Sequence, residues 1–204
     1  MHLPKPNDTQ FELAPAGTFL GVCYRIIDMG TQPSNWQGQI KQQHKILISW
    51  ELPEEKMADG RPFTIGQSYT WSMSEKARLR KDLESWRGLS FTDADFGDGG
   101  FDIKNILGKG CLLTIVHTEK NADGKQYANI SSIGKMMKGM VAPAPANETV
   151  YLWIDQGRWD SGVFHKLSDG LKKKIMASPE YREMANGNDE PPPADADNLE
   201  AIPF

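Results

Sequence analysis

The chain has 204 residues, of which 23 are basic and 27 acidic, giving a formal charge of −4 with 39% hydrophobic residues. That length and composition predict one globular domain of ordinary size with a small appendage. No run approaches the ~18 apolar residues of a membrane span, and the start, MHLPKPNDTQ, lacks the apolar stretch of a signal peptide, so a cytoplasmic protein is expected.

Residues 1–15 are polar and hold three prolines (Pro4, Pro6, Pro15), which reads as an N-terminal arm. From Ala16 to Asp28 the run AGTFLGVCYRIID is long, apolar and rich in β-formers, with Gly17 and Gly21 allowing a strongly bent strand. A polar loop holding Trp36 leads to Gln39–Leu52. There Lys45, Leu47, Ser49 and Glu51 alternate with His44, Ile46, Ile48 and Trp50, which predicts a second strand. Ala58-Asp59-Gly60 turns the chain into a third, Pro62 to Trp71. Ser72 and Glu75 have capping-box spacing, and the helix they open should bury Leu79, Leu83 and Trp86 and stop at Gly88. After an acidic loop, FTDADFGDGG, comes a short helix in FDIKNILG. Two more strands follow, Cys111–Thr118 and Gln126–Ile133, around an Asp123-Gly124 hairpin tip.

Three strands, a helix and a two-strand hairpin is the order of an OB-fold, a five-stranded Greek-key β-barrel with an inserted helix. The expected fold is therefore mainly β with helices, an OB-fold-like barrel over 16–134. A Pro/Ala-rich linker, 135–149, then leads to a helical appendage, 150–185, in which Phe164, Leu167, Leu171 and Ile175 run at helical spacing. That appendage should pack back on the barrel, since one short helix has too little core to stand alone.

Catalytic constellations are scarce. Asp93-x-Asp95-x-x-Asp98 starts like a calcium loop but places Asp98 where glycine is needed. Gly108-Lys109-Gly110 lacks the rest of a phosphate-binding loop, and the four histidines are scattered. Neither an enzyme nor a cofactor or metal is expected. Cys23 and Cys111 sit in apolar strand-like runs with no C-x-x-C, so free buried thiols are expected. What remains is aromatic and basic residues interleaved on strands, the pattern that stacks bases and tracks phosphates of single-stranded nucleic acid. Tyr24 and Arg25 on the first strand, Trp36 in the next loop, and Lys41 and Lys45 on the second strand are candidates. Tyr69 and Trp71 on the third strand, with Lys120, Lys125 and Tyr127 around the last hairpin, complete the set. Trp36 leads because its neighbours are polar, whereas Trp50, between Ile46 and Ile48, is expected in the core.

The last nineteen residues, 186–204, carry five acidic side chains and no basic one. Without them the chain has 23 basic and 22 acidic residues, so a near-neutral body carries an acidic arm. Pro191 to Pro193 exclude helix in the arm's middle, and its composition predicts a disordered, solvated tail. It closes on Ile202-Pro203-Phe204 with the phenylalanine carboxylate read as free. This ending resembles the C-terminal tip of bacterial and phage single-stranded DNA-binding proteins. The resemblance implies a sequence-nonspecific protein that protects single-stranded DNA. Such a protein recruits replication, recombination or repair proteins through its tip, here Asp195, Asp197, Glu200, Ile202, Pro203 and Phe204, and can form homo-oligomers. A β-barrel adaptor that holds a peptide, and a metal-dependent nuclease using the acidic loop, are the alternatives.

Overall fold

A computed structural model describes residues 12–36, 38–97, 100–155 and 157–187. The fold is mainly β with several short helices. Its strands are β1 (Gly17–Trp36), β2 (Gln39–Lys56), β3 (Pro62–Thr70), β4 (Gly110–His117), β5 (Ala128–Gly134) and β6 (Val150–Leu152), all in one sheet. The order is β3-β2-β1-β4-β5, with β6 also paired to β1. β1 meets β4 antiparallel from Gly17↔Ile115 to Val22↔Gly110, and β4 meets β5 antiparallel with a register shift between Thr114 and Ile115. Gly21 is required where β1 faces β4, because a Cβ there would lie 2.5 Å from Leu113 Cδ1.

The five long strands stand where alternation and β-propensity put them, and the first two run longer than expected. The helix after β3, α1 (Arg78–Arg87), starts later than the Ser72–Glu75 pattern predicts. Ser72 Oγ engages Ser74 instead, and Ala77 is extended immediately before the first helical turn. Its end is as expected: Gly88 takes a left-handed φ of 69° and donates its N–H to the Glu84 carbonyl. Leu79, Leu83 and Trp86 are buried. A single 3-10 turn, Ile103–Ile106, forms the expected short helix before β4.

The described residues form two compact units, and β1, β2 and β3 contribute to both. One unit takes the residues up to Arg25 with Ile48–Gln67 and Ser72–Thr149. Val22, Ile48, Trp50, Leu113 and Ile133 are buried in it with Leu79, Leu83 and Trp86 of α1, and the Trp50 and Trp86 rings lie 5.8 Å apart. Cys23 and Cys111 are free thiols buried here, and burial pushes Cys23 up to about 12. Glu51 is fully buried although its neighbours predict a solvated strand face. Its carboxylate accepts hydrogen bonds from Ala146 N, Asn147 N and Asn147 Nδ2 at 2.8, 2.9 and 2.7 Å, so Pro/Ala-rich chain covers that face.

The other unit takes Ile26–Leu47, Ser68–Trp71 and the residues from Val150 on. Ile27, Met29, Leu152, Phe164, Leu167 and Ile175 form its core. The single helical stripe expected from Phe164 to Ile175 is two helices, α2 (Ser161–His165) and α3 (Asp169–Met176), followed by α4 (Pro179–Gly187). Bonds of the i→i+3 type at Lys166 and Leu167 tighten the end of α2, yet Phe164, Leu167 and Ile175 still point inward. No helix among the described residues is long and apolar enough to cross a membrane.

Candidate nucleic-acid interface

The first unit offers a groove at the β4–β5 hairpin. Asn121 builds the hairpin tip: its Oδ1 accepts the N–H groups of Asp123 and Lys125, and its own N–H meets the Lys125 carbonyl at 2.9 Å. Gly124, at φ 74°, supplies the left-handed residue the turn needs. Thr118 N–H to Tyr127 O, at 2.9 Å, closes the base. The braced tip projects Lys120 and Lys125 into solvent and leaves the Tyr127 ring 54% exposed. Beside them lies a groove of about 1040 Å³, floored by Thr64, Ile65 and Gly66 of β3 and walled by Gln126–Asn129 with Leu13 and Ala14. His117 holds the Ala14 wall through Nε2, 2.8 Å from the Ala14 carbonyl. An open trough with one flat ring and two cations can stack a base and pair its flanking phosphates.

The second unit gathers half-buried rings. Trp153, just beyond β6, lies 4.9 Å edge-on from Trp71, 6.0 Å from the nearly parallel Tyr151 ring and 6.3 Å from the stacked His44 imidazole. His44 is fixed by carboxylates on two elements. Its Nε2 sits 2.6 Å from Asp28 Oδ1 and its Nδ1 3.6 Å from Glu180 Oε1. The Asp28 hydrogen bond holds the imidazole pKa above its ordinary value despite partial burial. Asp28, 1% exposed, also accepts from Gly30 N and Ile154 N. Burial raises Glu180, but hydrogen bonds from the Thr31 hydroxyl and amide, with His44 nearby, leave it below the usual carboxylate value. Gly30 makes this possible, since at φ 65° a Cβ would meet Ser178 Cβ at 2.5 Å and Glu180 Oε2 at 2.8 Å.

Of the residues chosen from sequence, Lys120, Lys125 and Tyr127 come together on one surface. Lys41 is exposed on β2. Lys45 is half-buried, which lowers its pKa, and its ammonium already binds Gln43 Oε1 at 2.7 Å and Thr70 Oγ1 at 2.8 Å. Arg25 spends Nε and Nη2 on Ser49 Oγ, and Trp71 packs edge-on to Trp153. Tyr24 and Tyr69, 7% and 3% exposed, are corrections: Tyr24 lies in the middle of β1, where both faces are buried, and Tyr69 is one of the buried positions of β3, so neither offers a face to a base. The Trp36 side chain, and Asp195, Asp197, Glu200, Ile202, Pro203 and Phe204, lie outside the described residues. Tyr151 and Trp153 were missed. Their i, i+2 spacing is a strand signal, but only three residues long and submerged in the helical pattern that follows.

No protein-family model matches the chain, and no curated protein is significantly similar to it. The interface is therefore argued from its own chemistry. Within the acidic loop, Asp95 accepts from the Thr92 amide and hydroxyl and pairs with Arg87 at 2.6 Å, which together hold it down at about 2. Among the described residues no three His, Cys, Asp or Glu side chains converge as a metal site.

Proposed function

We propose that this protein binds single-stranded DNA without sequence preference, covering exposed strands while its C-terminal segment recruits replication or recombination proteins. The observation that carries the reading is the exposed Tyr127 ring held with Lys120 and Lys125 on the groove between β3 and β5. Stacking on such a ring contributes roughly 1–3 kcal/mol per base and tolerates any base. The sheet order supports an OB-like barrel. β1 lies between β2 and β4, α1 falls between β3 and β4, and the groove is lined by residues of β3 and β5, the two ends of that order, which a partly open barrel would bring near each other. The Tyr151–Trp153–Trp71 cluster adds half-buried aromatic surface in the other unit. The Ile202-Pro203-Phe204 ending is the independent support for partner recruitment.

Oligonucleotide binding across a salt series tests the reading. Lys125→Ala and Lys120→Ala should weaken binding equally for all sequences and each shallow the salt slope by about one counterion. Tyr127→Ala should weaken binding with the slope unchanged, because stacking releases no counterions. Equal affinity for duplex and single strand would overturn the proposal.

A further inference from the structure

A second concavity in the first unit has a different chemistry from the hairpin groove and shares no residue with it. It is a slot of about 590 Å³, within the roughly 300–1,000 Å³ range of small-ligand pockets. Leu83 and Trp86 of α1, with Ile106, give it an apolar floor. Trp86 is pinned there, because its indole Nε1 donates to the Gly110 carbonyl at 2.7 Å. Met136, Met137 and Met140 form one wall, shaped by a turn in which Met140 N–H meets the Met137 carbonyl at 3.1 Å. That wall can approach closely because Gly88 and Gly110 leave room. A Cβ at Gly88 would meet Lys135 Cδ at 2.6 Å, and one at Gly110 would meet Met136 Sδ at 2.7 Å.

The polar lining is mainly cationic. Arg87, Lys109, Lys135 and Lys138 face a single acid, Asp95, and Asp95 is already engaged by Arg87 and Thr92. The Arg87 guanidinium is fixed in place, 4.4 Å over the Phe91 ring and giving Nη2 to Asp95 at 2.6 Å. Its Nη1 is buried and finds no partner among the described residues. A buried guanidinium N–H without an acceptor is costly, and an anionic oxygen is the acceptor that satisfies it best. An inorganic anion alone would leave the apolar floor wet, and a neutral apolar molecule would leave Arg87 unpaired. The occupant that answers both needs has an apolar body and one anionic head.

We propose that this slot is a binding site for a small straight-chain carboxylate. Its head sits on Arg87 Nη1 among the lysine ammoniums, and its alkyl chain lies between the Trp86–Ile106 floor and the methionine wall. Unbranched thioether side chains conform to a flexible chain at little cost, and Met137, 65% exposed, gains cover when the slot is filled. An alkyl chain matches the lining better than a nucleobase does. Trp86 is only 8% exposed and the Phe101 ring is half-buried against Phe91, so neither presents a free ring face on which a base could stack. The site goes beyond nucleic-acid binding and does not depend on it, since the hairpin groove is built from other residues.

Methyl spectra of the full chain, labelled at methionine and titrated with octanoate, test this directly. Octanoate should shift the methyls of Met136, Met137 and Met140 to saturation and leave Met29, in the core of the other unit, unmoved. Octanol keeps the chain without the charge and should bind roughly tenfold more weakly, the loss of one charge-assisted contact. Acetate keeps the head without the chain and should leave the slot methyls where they are. The double variant Lys135→Glu/Lys138→Glu should weaken octanoate binding while the Trp50 indole N–H, in the core of the same unit, keeps its wild-type position, which separates lost binding from lost folding. Slot methyls that ignore octanoate overturn the proposal, as does octanol binding as tightly as octanoate. So do slot methyls that respond to thymidine monophosphate and not to octanoate, since the slot would then belong to a nucleotide.

Discussion

Glu51 on β2 and Asp28 on β1 are both buried carboxylates, each within a different unit, and each ties down chain that follows the sheet. Glu51 reaches Ala146 and Asn147, and Asp28 reaches Ile154. Their donors differ in kind. Glu51 receives only amide N–H groups, none of which titrates. Asp28 receives two backbone amides and the His44 imidazole, which also faces Glu180 on α4. One staple is permanent, and the other is coupled to a group that changes charge near neutrality.

The largest expected effect breaks the permanent staple. Glu51→Ala leaves three donors without their acceptor and should cost about 3–4 kcal/mol, read as a drop in urea midpoint. Glu51→Gln keeps one acceptor oxygen and should cost about half as much. Asp28→Asn comes next, at about 2 kcal/mol. It removes the anion that His44 binds, so an NMR titration should show the His44 pKa falling back toward about 6.5. An unchanged His44 titration would mean that Glu180 alone carries the shift.

The pH dependence sharpens the comparison. The folded state raises the His44 pKa, so its contribution is complete below the unfolded value of about 6.5 and is lost as pH rises through the higher folded value. The wild-type urea midpoint should therefore fall as pH climbs above about 6.5, and His44→Gln should flatten that fall. Glu51→Gln should lower the whole curve without changing its slope in this window. Glu180 acts at the acid end: its lowered pKa gives stability present above about 4.3 and lost as pH falls through the folded value. The smallest effect belongs to Glu180→Gln at neutral pH, about 1 kcal/mol, because an amide oxygen can still accept one bond from Thr31.

Local pattern was enough for much of the fold. The five strand runs, the Asn121–Lys125 turn, the stop at Gly88 and the inward stripe of Leu79, Leu83 and Trp86 all rest on residues within a few positions of one another. Periods of 2 and 3.6 and left-handed glycines are properties of such short stretches. So too were Lys120, Lys125 and Tyr127, since a tight hairpin delivers neighbours in sequence as neighbours in space.

Tertiary structure alone decided the rest. Tyr24 and Tyr69 look like surface aromatics in sequence, yet Tyr24 lies where both faces of β1 are covered and Tyr69 is one of the buried positions of β3. Tyr151 and Trp153 become a ring cluster only when the chain returns to meet Trp71 and His44. The Glu51, Asp28 and Glu180 bonds span 95, 126 and 149 residues. Sequence specified which residues could form a strand, a turn or a cap, because those depend on backbone sterics and nearest neighbours. Which carboxylate would meet an amide and which a histidine depended on chain closure over those distances, and no local signal encodes that pairing.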